Sequence, residues 1–372
     1  FYQGGLLRLE LHLGARKMSD NFKNLSRRDF LKGMAYGAAA LSSLQLSSCS
    51  YEVKPSRSGA KGIFVQEGKP LLIAVEGDNP QKMLEKAIDA IGGLNPLFGK
   101  GKRALLKGNF VFAQPFPITT DPQIALLFGR HLKDSGFEQV NVFDAPGTYL
   151  NDSKEKTLDM HGLMEQKNPY GIGFYAGDAG ERSEFIMTQN QQWQAYPEIG
   201  VHNDIYTTPV IINMPCLKRH HTSYLTCALK NNFGAIYGPQ RWDAHFRGEG
   251  IKKMARLKAE NRQADKFKNI YHFMDAIAEF ADAVRPELTF VDARSILTKG
   301  GPTAGIGKIK TGVNLFILSQ DMVAVDAYCS KLMEKHDDSY STEMILPYLK
   351  TAEKLGLGTM DLSKVEVTEL SI

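Results

Sequence analysis

The chain has 372 residues, of which 43% are hydrophobic and 23% are charged. This composition is typical of a globular protein and excludes collagen-like, coiled-coil and disordered chains. The first 48 residues hold seven basic and three acidic residues, which accounts for the formal net charge of +4 and leaves 38 basic and 38 acidic residues in the rest. A neutral body lacks the cationic surface that neutralises nucleic-acid phosphates, so no nucleic-acid partner is expected.

The most specific motif of the chain is an export signal. Arg27 and Arg28 precede a short uncharged run rich in Ala, Gly and Ser, an order that resembles the twin-arginine signal of bacterial export. The residues LSSC end at Cys49 and resemble the site at which a lipoprotein is cleaved and lipidated. The run is too short and too weakly apolar for a comfortable membrane span.

These motifs predict an export leader over residues 1–48 and a lipid anchor on Cys49. The expected partners are the twin-arginine export machinery and a bacterial membrane, and the expected location is its periplasmic or cell-envelope face. A Ser/Gly/Lys-rich tether is predicted over residues 49–62. It would lead into a single domain over residues 63–372, built as one lobe or two.

In this domain, apolar runs of strand length alternate with segments of helical period, which predicts an α/β fold with a mainly parallel sheet and helices on both faces. The predicted strands are Leu71–Val75, Ala104–Lys107, Val140–Phe143, Pro209–Asn213, Leu288–Val291, Leu315–Leu318 and Val365–Leu370. The predicted helices are Gln81–Ile91, Pro122–Lys133, Ile270–Ala283, Ala324–Glu334 and Glu343–Lys354. Weak periodicity and many turn formers predict an irregular insertion over about 147–205.

Polar residues directly after the predicted strands mark a candidate binding edge, because ligands of open α/β sheets bind beyond the carboxyl ends of the strands. These residues are Lys107, Asn109, Asp144, Asn213, Asp292 and Asp321. We expect several of them to lie near one another.

The stretch INMPCLKRHHTSYLTCALKNNFGAIYG combines cations with apolar flanks. Thr222 has the character of an N-cap, and a helix is predicted from it to about Lys230. Lys218, His220 and His221 come just before this helix, where backbone N–H groups and the helix dipole favour an anion. The alternative is an ordinary strand-to-helix loop with solvated cations and a helix C-cap after it.

Three aspartates at predicted helix starts are further candidates. Asp121 precedes Pro122, so it is either an N-cap or a ligand-binding group. Asp321 is predicted to cap its helix. Asp326 lies one turn inside an apolar helix, where a carboxylate requires a partner such as a lysine or a metal ion.

Metal and cofactor motifs are weak in this chain. His220, His221 and His245 are candidate ligands of a divalent metal, although no HxH or HxxxH spacing occurs. Cys216, Cys227 and Cys329 allow at most one disulfide, and no CxxC motif for a ferredoxin-type cluster is present. The run GGPTAGIGK does not fit a phosphate-binding loop; a flexible loop near the site is the better interpretation.

Five segments in order resemble the family called domain of unknown function 362 over nearly the whole predicted domain. They are LLKGNF with ITTDP, NMPCLKRHHTSYLTCALKNNFG, TFVDARSILTKGGPTAG, SQDMVAVDAYCSKLM and the late GLG. The resemblance implies no defined activity. Some members look like iron–sulfur proteins through an appended ferredoxin module, whose cysteines this chain lacks. The usual Lys-Pro-Asn of the family is Lys-Gly-Asn here, at residues 107–109.

The sequence therefore predicts an exported lipoprotein that binds or acts on an anionic small molecule in a cleft lined by Lys, His and Asp. The alternatives are a non-catalytic protein that binds a ligand or a redox partner, and a metal- or iron–sulfur-associated protein. The candidate catalytic residues are Lys230, His220 and Asp326. The candidate ligand-binding residues are Lys107, Asn109, Asp121, Lys218, His221, Thr226 and Asn231.

Overall fold

A computed structural model describes residues 52–59, 62–146, 170–177, 180–245 and 268–372. The predicted leader lies outside these residues, and with it Arg27, Arg28 and Cys49. Residues Val53–Ile372 form one compact unit. Within the described ranges, no helix has both the length and the apolar character that crossing a bilayer requires.

The strands of the described chain form one large mixed sheet and one small sheet. They are β1 (Lys54–Pro55), β2 (Val65–Gln66), β3 (Lys69–Glu76), β4 (Arg103–Lys107), β5 (Gln139–Asp144), β6 (Gly173–Ala176), β7 (Phe185–Gln189), β8 (Ile199–His202), β9 (Val210–Asn213), β10 (Cys216–His220), β11 (Tyr224–Thr226), β12 (Leu288–Thr298), β13 (Lys308–Ser319) and β14 (Glu366–Ser371). Every predicted strand is present, with its ends shifted by a few residues or extended.

The large sheet has the strand order β14-β3-β13-β12-β9-β4-β5-β6. Neighbours along β12-β9-β4-β5-β6 and the pair β14-β3 are parallel, as predicted. Strand β13 is antiparallel to both of its neighbours, so the sheet is mixed. The long strands β12 and β13 follow each other directly along the chain, and such a connection produces an antiparallel pair.

The helices lie close to their predicted positions. They are α1 (Pro80–Ala90), α2 (Pro122–Asp134), α3 (Asn203–Thr207), α4 (Ala228–Asn231), α5 (Lys268–Val284), α6 (Met322–His336) and α7 (Leu346–Lys354), and residues 238–245 are helical as well. Asp121 accepts a hydrogen bond from Gln123 N at the start of α2, and Asp321 accepts one from Ala324 N at the start of α6. Both predicted N-caps are therefore present.

Helices cover both faces of the sheet, as the apolar patterns predict. In β3, Leu71, Ile73 and Val75 face a core that includes α1 and α2. Leu72 and Ala74 alternate with them and face the core that holds α4 to α7. This alternation follows from the two-residue period of a strand and gives the sheet two buried faces.

The predicted insertion over about 147–205 is partly regular. Residues 147–169 and 178–179 lie outside the described chain. Strand β6 adds to the large sheet beside β5, while β7 pairs with both β1 and β8 in the small sheet. These strands are only four or five residues long, so a period-two pattern hardly develops in them.

Part of the predicted tether packs into the domain. The Arg57 side chain is 7% exposed, and its guanidinium lies 2.9 Å from the Glu287 carboxylate. It also donates to the carbonyls of Thr208, Pro209 and Arg285. Such a multiply bonded guanidinium is well suited to hold a chain segment in place, so the domain begins before residue 63.

The helix predicted from Thr222 to Lys230 is wrong. The chain forms a hairpin instead, in which β10 and β11 pair antiparallel with Lys218 opposite Thr226. Helix α4 then covers only Ala228–Asn231. Tyr224 has φ +65°, a left-handed conformation that a helical interpretation cannot contain.

Candidate functional site

A cavity of about 400 Å³ lies beyond the carboxyl ends of the parallel strands β4, β5 and β9. The β10–β11 hairpin, α4 and residues 238–245, which are helical, form its other walls together with the loop around residues 302–306. This is the edge at which α/β sheets bind ligands. Its described lining residues are Lys107, Asn109, Val111, Phe112, Asp144, Ala145, Lys218, His220, His221, Thr226, Lys230, Asn231, Phe233, Gly234, Arg241, Trp242, His245, Pro302, Thr303 and Ile306.

At the floor of the cavity lies a buried ion pair between the last residues of β4 and β5. Lys107 Nζ is 2.8 Å from Asp144 Oδ1, and both side chains are almost fully buried. The backbone N–H groups of Phe110 and Ala145 also donate to the Asp144 carboxylate, at 2.7 and 2.9 Å. Burial lowers the pKa of Lys107, and the charge of Asp144 opposes this effect.

Gly234 is required by the close packing around this pair. A Cβ atom at this position would lie about 2.2 Å from Asp144 Oδ1 and 2.4 Å from Lys107 Nζ. Since both partners are buried, neither has free space into which it could move. Gly234, the last residue of the Asn-Asn-Phe-Gly sequence, therefore allows the ion pair to pack closely as well as allowing the turn after α4.

Lys218 points into the cavity from β10 without a carboxylate partner among the described residues. Its Nζ donates to Asn109 Oδ1 at 3.1 Å and to the Ile118 carbonyl at 2.6 Å. Burial lowers its pKa. Both hydrogen-bond acceptors are neutral, and the charge of Asp144 opposes the effect of burial only in part.

A chain of amide side chains joins the loops around the cavity. Asn109 Nδ2 donates to Asn231 Oδ1 at 2.9 Å, and Asn231 Nδ2 donates to Asn213 Oδ1 at 2.8 Å. Asn213 in turn donates to the Ala228 carbonyl at the start of α4. A fully bonded buried network of this kind fixes the relative positions of the strand ends.

Lys230 enters the cavity from α4. Its Nζ lies 3.1 Å from His245 Nε2 and 3.1 Å from the centre of the Phe233 ring. Burial lowers the pKa of Lys230 well below its usual value, and Arg241, Lys218 and Lys107 add to this effect. Burial likewise lowers the pKa of His245, and the nearby Lys230 lowers it further.

The hydrogen bonds of the histidines define their tautomers. His220 Nδ1 accepts from the backbone N–H groups of Thr222 and Ser223, so the neutral ring carries its proton on Nε2. His245 Nδ1 lies 2.7 Å from the Arg241 carbonyl, which can only accept, so its proton is on Nδ1 and the lone pair is on Nε2. Burial holds the pKa of His220 well below its usual value, which favours the neutral form.

The structure brings together eight of the ten candidate catalytic and ligand-binding residues. Asp121 and Asp326 do not line the cavity. Asp121 caps α2 and pairs with Arg294, whose Nη2 lies 2.6 Å from its carboxylate. Asp326 is fully buried in α6 and accepts from the N–H groups of Ala228 and Leu229, at the start of α4.

Several lining residues were missed by the sequence analysis. Arg241 and Trp242 lie only three and four residues after Gly238, the last residue of the stretch INMPCLKRHHTSYLTCALKNNFGAIYG. The spacing of Arg241 and His245, four apart, places both on one side of a helix and was a usable signal. Phe112 and Phe233 carry no such signal, because an isolated aromatic residue is more often part of a core.

The described lining is strongly cationic. Its basic side chains are Lys107, Lys218, Lys230 and Arg241. The carboxylate among the described lining residues is Asp144, which is already paired with Lys107. The described lining therefore holds more basic than acidic side chains. An anion in this cavity would be attracted strongly and would favour the ammonium form of the lysine that it contacts directly.

The predicted metal ligands are close to one another without forming a metal centre. The rings of His220 and His221 stack with centroids 4.8 Å apart, and His245 is 6.1 Å from His220. In the described part of the chain, no group of three or more His, Cys, Asp or Glu side chains is placed to hold a metal ion. Cys216, Cys227 and Cys329 are buried free thiols.

The fold and the site together define an α/β protein with a cation-lined cavity at its strand ends. A family model described as Domain of unknown function (DUF362) matches residues 104–331. The chain belongs to this family, as its sequence segments predict. A search of curated protein sequences gave no match.

Two solved structures resemble the chain distantly. One is described as the lactate racemase apoprotein from Thermoanaerobacterium thermosaccharolyticum, with 12% identity and a TM-score of 0.45, covering 76% of this chain and 61% of that one. The other is a protein from Thermotoga maritima, with 11% identity and a TM-score of 0.40, covering 69% and 58%. The chain thus spans about three fifths of these structures.

Proposed function

We propose that the protein binds an anionic small molecule in the cavity at the strand ends and acts on it by acid–base chemistry. The observation that supports this proposal most directly is the excess of buried cations, because uncompensated buried charge is costly unless a ligand uses it. Lys218 is the clearest case, since it is buried and oriented only by neutral acceptors.

The hydroxyl of Thr226 supports a ligand at the same place. Its Oγ1 is buried and has no hydrogen-bond partner among the described residues. Thr226 lies opposite Lys218 in the hairpin and lines the cavity with it. A carboxylate or phosphate oxygen between the two side chains would accept from both.

His220 and His245 provide the acid–base groups of the proposed activity. Neutral His220 presents a ring N–H, and neutral His245 presents a lone pair, so one can donate a proton while the other accepts one.

The rival function is a non-catalytic binding protein, in which the same groups only hold a ligand. His220→Gln distinguishes the two, because it should abolish turnover in an enzyme and leave anion binding within about threefold.

The binding proposal is tested by anion-dependent stabilisation of the purified full chain. Phosphate, acetate, oxalate and citrate are titrated while the unfolding temperature is measured. Lys218→Met should weaken the affinity for the best anion by about tenfold to 100-fold, the value of a hydrogen bond to a charged group.

Lys102→Met is the matched control for this experiment. Lys102 is exposed and pairs with Glu138 on the surface, so its replacement should leave the affinity unchanged. If no anion stabilises the wild type, or if both variants weaken binding equally, the cavity is not an anion site.

We propose further that the chain is exported and lipid-anchored, on the basis of Arg27, Arg28 and the LSSC sequence. Replacing both arginines by lysine keeps the charge and should retain the protein in the cytoplasmic fraction of a bacterial host with twin-arginine export. Cys49→Ala should release the exported protein from the membrane fraction. Lys23→Arg is the control, and normal export of the double lysine variant would contradict the proposal.

A further inference from the structure

Lys230 differs from the other two cavity lysines in its contacts. Lys107 is paired with Asp144, and Lys218 donates to two oxygen acceptors. Lys230 has no carboxylate partner among the described residues, and the polar group nearest to its Nζ is the imidazole nitrogen of His245 at 3.1 Å. The side chain is 6% exposed and lines the cavity.

Two opposing effects act on the charge of this amine. The Phe233 ring, 3.1 Å from Nζ, attracts an ammonium ion. Burial disfavours the same ion, and the neighbouring cations Arg241 and Lys218 repel it as well. Burial is the largest of these effects and lowers the pKa of Lys230, so the neutral amine is more accessible here than at an exposed lysine.

The orientation of His245 fits a neutral amine. Since Nδ1 of His245 donates to the Arg241 carbonyl, the lone pair of Nε2 faces Lys230 and accepts one of its N–H groups. The lone pair of the amine is then free for chemistry, and a proton acceptor stands beside it. A desolvated lysine next to other cations is a recognised form of activated nucleophile.

We propose that Lys230 captures a carbonyl compound that bears an anionic group, such as a 2-oxo acid, as an imine. This inference rests on the proposed function, because Lys218 and Arg241 would hold the anionic group while the carbonyl faces Lys230. The cavity of about 400 Å³ is large enough for such a molecule.

The step balances without an oxidant or a reductant. The lone pair of Lys230 Nζ attacks the carbonyl carbon, and the carbonyl oxygen takes up a proton from Nε2 of His220. His245 Nε2 accepts a proton from the amine, which gives a neutral carbinolamine. The carbinolamine hydroxyl then takes the proton from His245 Nε2 and leaves as one molecule of water. The remaining N–H proton of Nζ passes to Nε2 of His220, so a C=N bond remains and both histidines return to their neutral forms. An imine that is protonated again withdraws electrons from the neighbouring carbon, which is the chemistry such lysines supply.

Reductive trapping tests the inference. The full chain is incubated at pH 7 with glyoxylate, pyruvate or 2-oxoglutarate and sodium cyanoborohydride, and the modified lysines are located by peptide mass spectrometry. With at least one of these probes, Lys230 should be labelled at least about tenfold faster than Lys102, which is exposed and paired with Glu138. Neutral acetone should label Lys230 at least about tenfold more slowly than the best probe.

Two variants separate the capture step from anion binding. Lys230→Arg keeps a long basic side chain that cannot form an imine, so it should lose the adduct while retaining phosphate-dependent stabilisation. Lys102→Arg should leave labelling of Lys230 unchanged. If the wild type is stabilised by anions but Lys230 is labelled no faster than Lys102 with all three probes, the inference is wrong and the binding proposal stands. If no anion stabilises the wild type, both fail.

Discussion

Asp144→Ala is expected to lower the free energy of unfolding by about 3–5 kcal/mol, the usual cost of breaking a buried ion pair on one side. The substitution leaves the buried Lys107 without its counter-charge and removes the acceptor of the Phe110 and Ala145 N–H groups. Urea unfolding of the purified protein measures the change. An unchanged slope of the unfolding free energy against urea concentration would show that the native state is intact.

Asp134→Ala is the matched control for Asp144→Ala. Asp134 pairs with Arg130 on the surface of α2, where its side chain is 60% exposed. Its loss should therefore cost less than about 1 kcal/mol. A double-mutant cycle with Lys107→Met isolates the pair energy. A loss of less than about 1 kcal/mol for Asp144→Ala would show that Lys107 does not depend on this carboxylate.

The sheet and most helices were predictable because their residues follow simple periods. β3 alternates between two cores, and its apolar run is visible in the sequence. Asp121 and Asp321 were identifiable as caps because each stands directly before an apolar helical segment. The antiparallel course of β13 could not be inferred from its composition, because strand direction depends on the connections rather than on the residues.

The residue types of the site could be predicted from the sequence, but the local backbone conformation could not. Thr222, Thr226 and Lys230 are spaced four apart, a pattern that indicates one side of a helix. In the hairpin, Thr226 instead lies opposite Lys218, eight residues away in sequence, and this pairing brings both side chains to the cavity. A short hairpin with few apolar positions gives no period from which the sequence alone could distinguish it.

The sequence also could not predict which distant segments line the cavity. Lys107 and Asp144 come from strands that pair in parallel, and residues 302–306 close the cavity from a loop between β12 and β13. The run GGPTAGIGK was predicted to form a loop near the site, and it lies beside the cavity. What it contributes are Pro302, Thr303 and Ile306, which line one wall.

Asp326→Ala is expected to lower the free energy of unfolding by about 2–4 kcal/mol, because it leaves the N–H groups of Ala228 and Leu229 without their acceptor in a dry core. The Asp326 side chain is fully buried, and Oδ1 lies 2.6 Å from Ala228 N. These bonds hold the start of α4, the helix that carries Lys230 and Asn231 into the cavity. Asp326 would then act on the site by positioning α4.

Asp326→Asn separates this structural role from the catalytic role that the sequence suggested. Burial raises the pKa of Asp326 to about 7, although hydrogen bonds from Cys227, Leu229 and Ala228 oppose the rise. The folded chain therefore retains a proton that the unfolded chain releases between about pH 4 and pH 7. The resulting stabilisation is complete below about pH 4 and is lost as the pH rises to about 7.

Asparagine keeps an acceptor for Ala228 N but cannot titrate, so Asp326→Asn should flatten this part of the stability profile and leave anion binding within about threefold. If Asp326→Asn instead abolished anion binding or turnover while the unfolding free energy stayed constant across this pH range, a direct role of the carboxylate in the chemistry would be established. The expected result assigns Asp326 to the support of α4, because a carboxylate that does not line the cavity reaches a ligand only through the helix it holds.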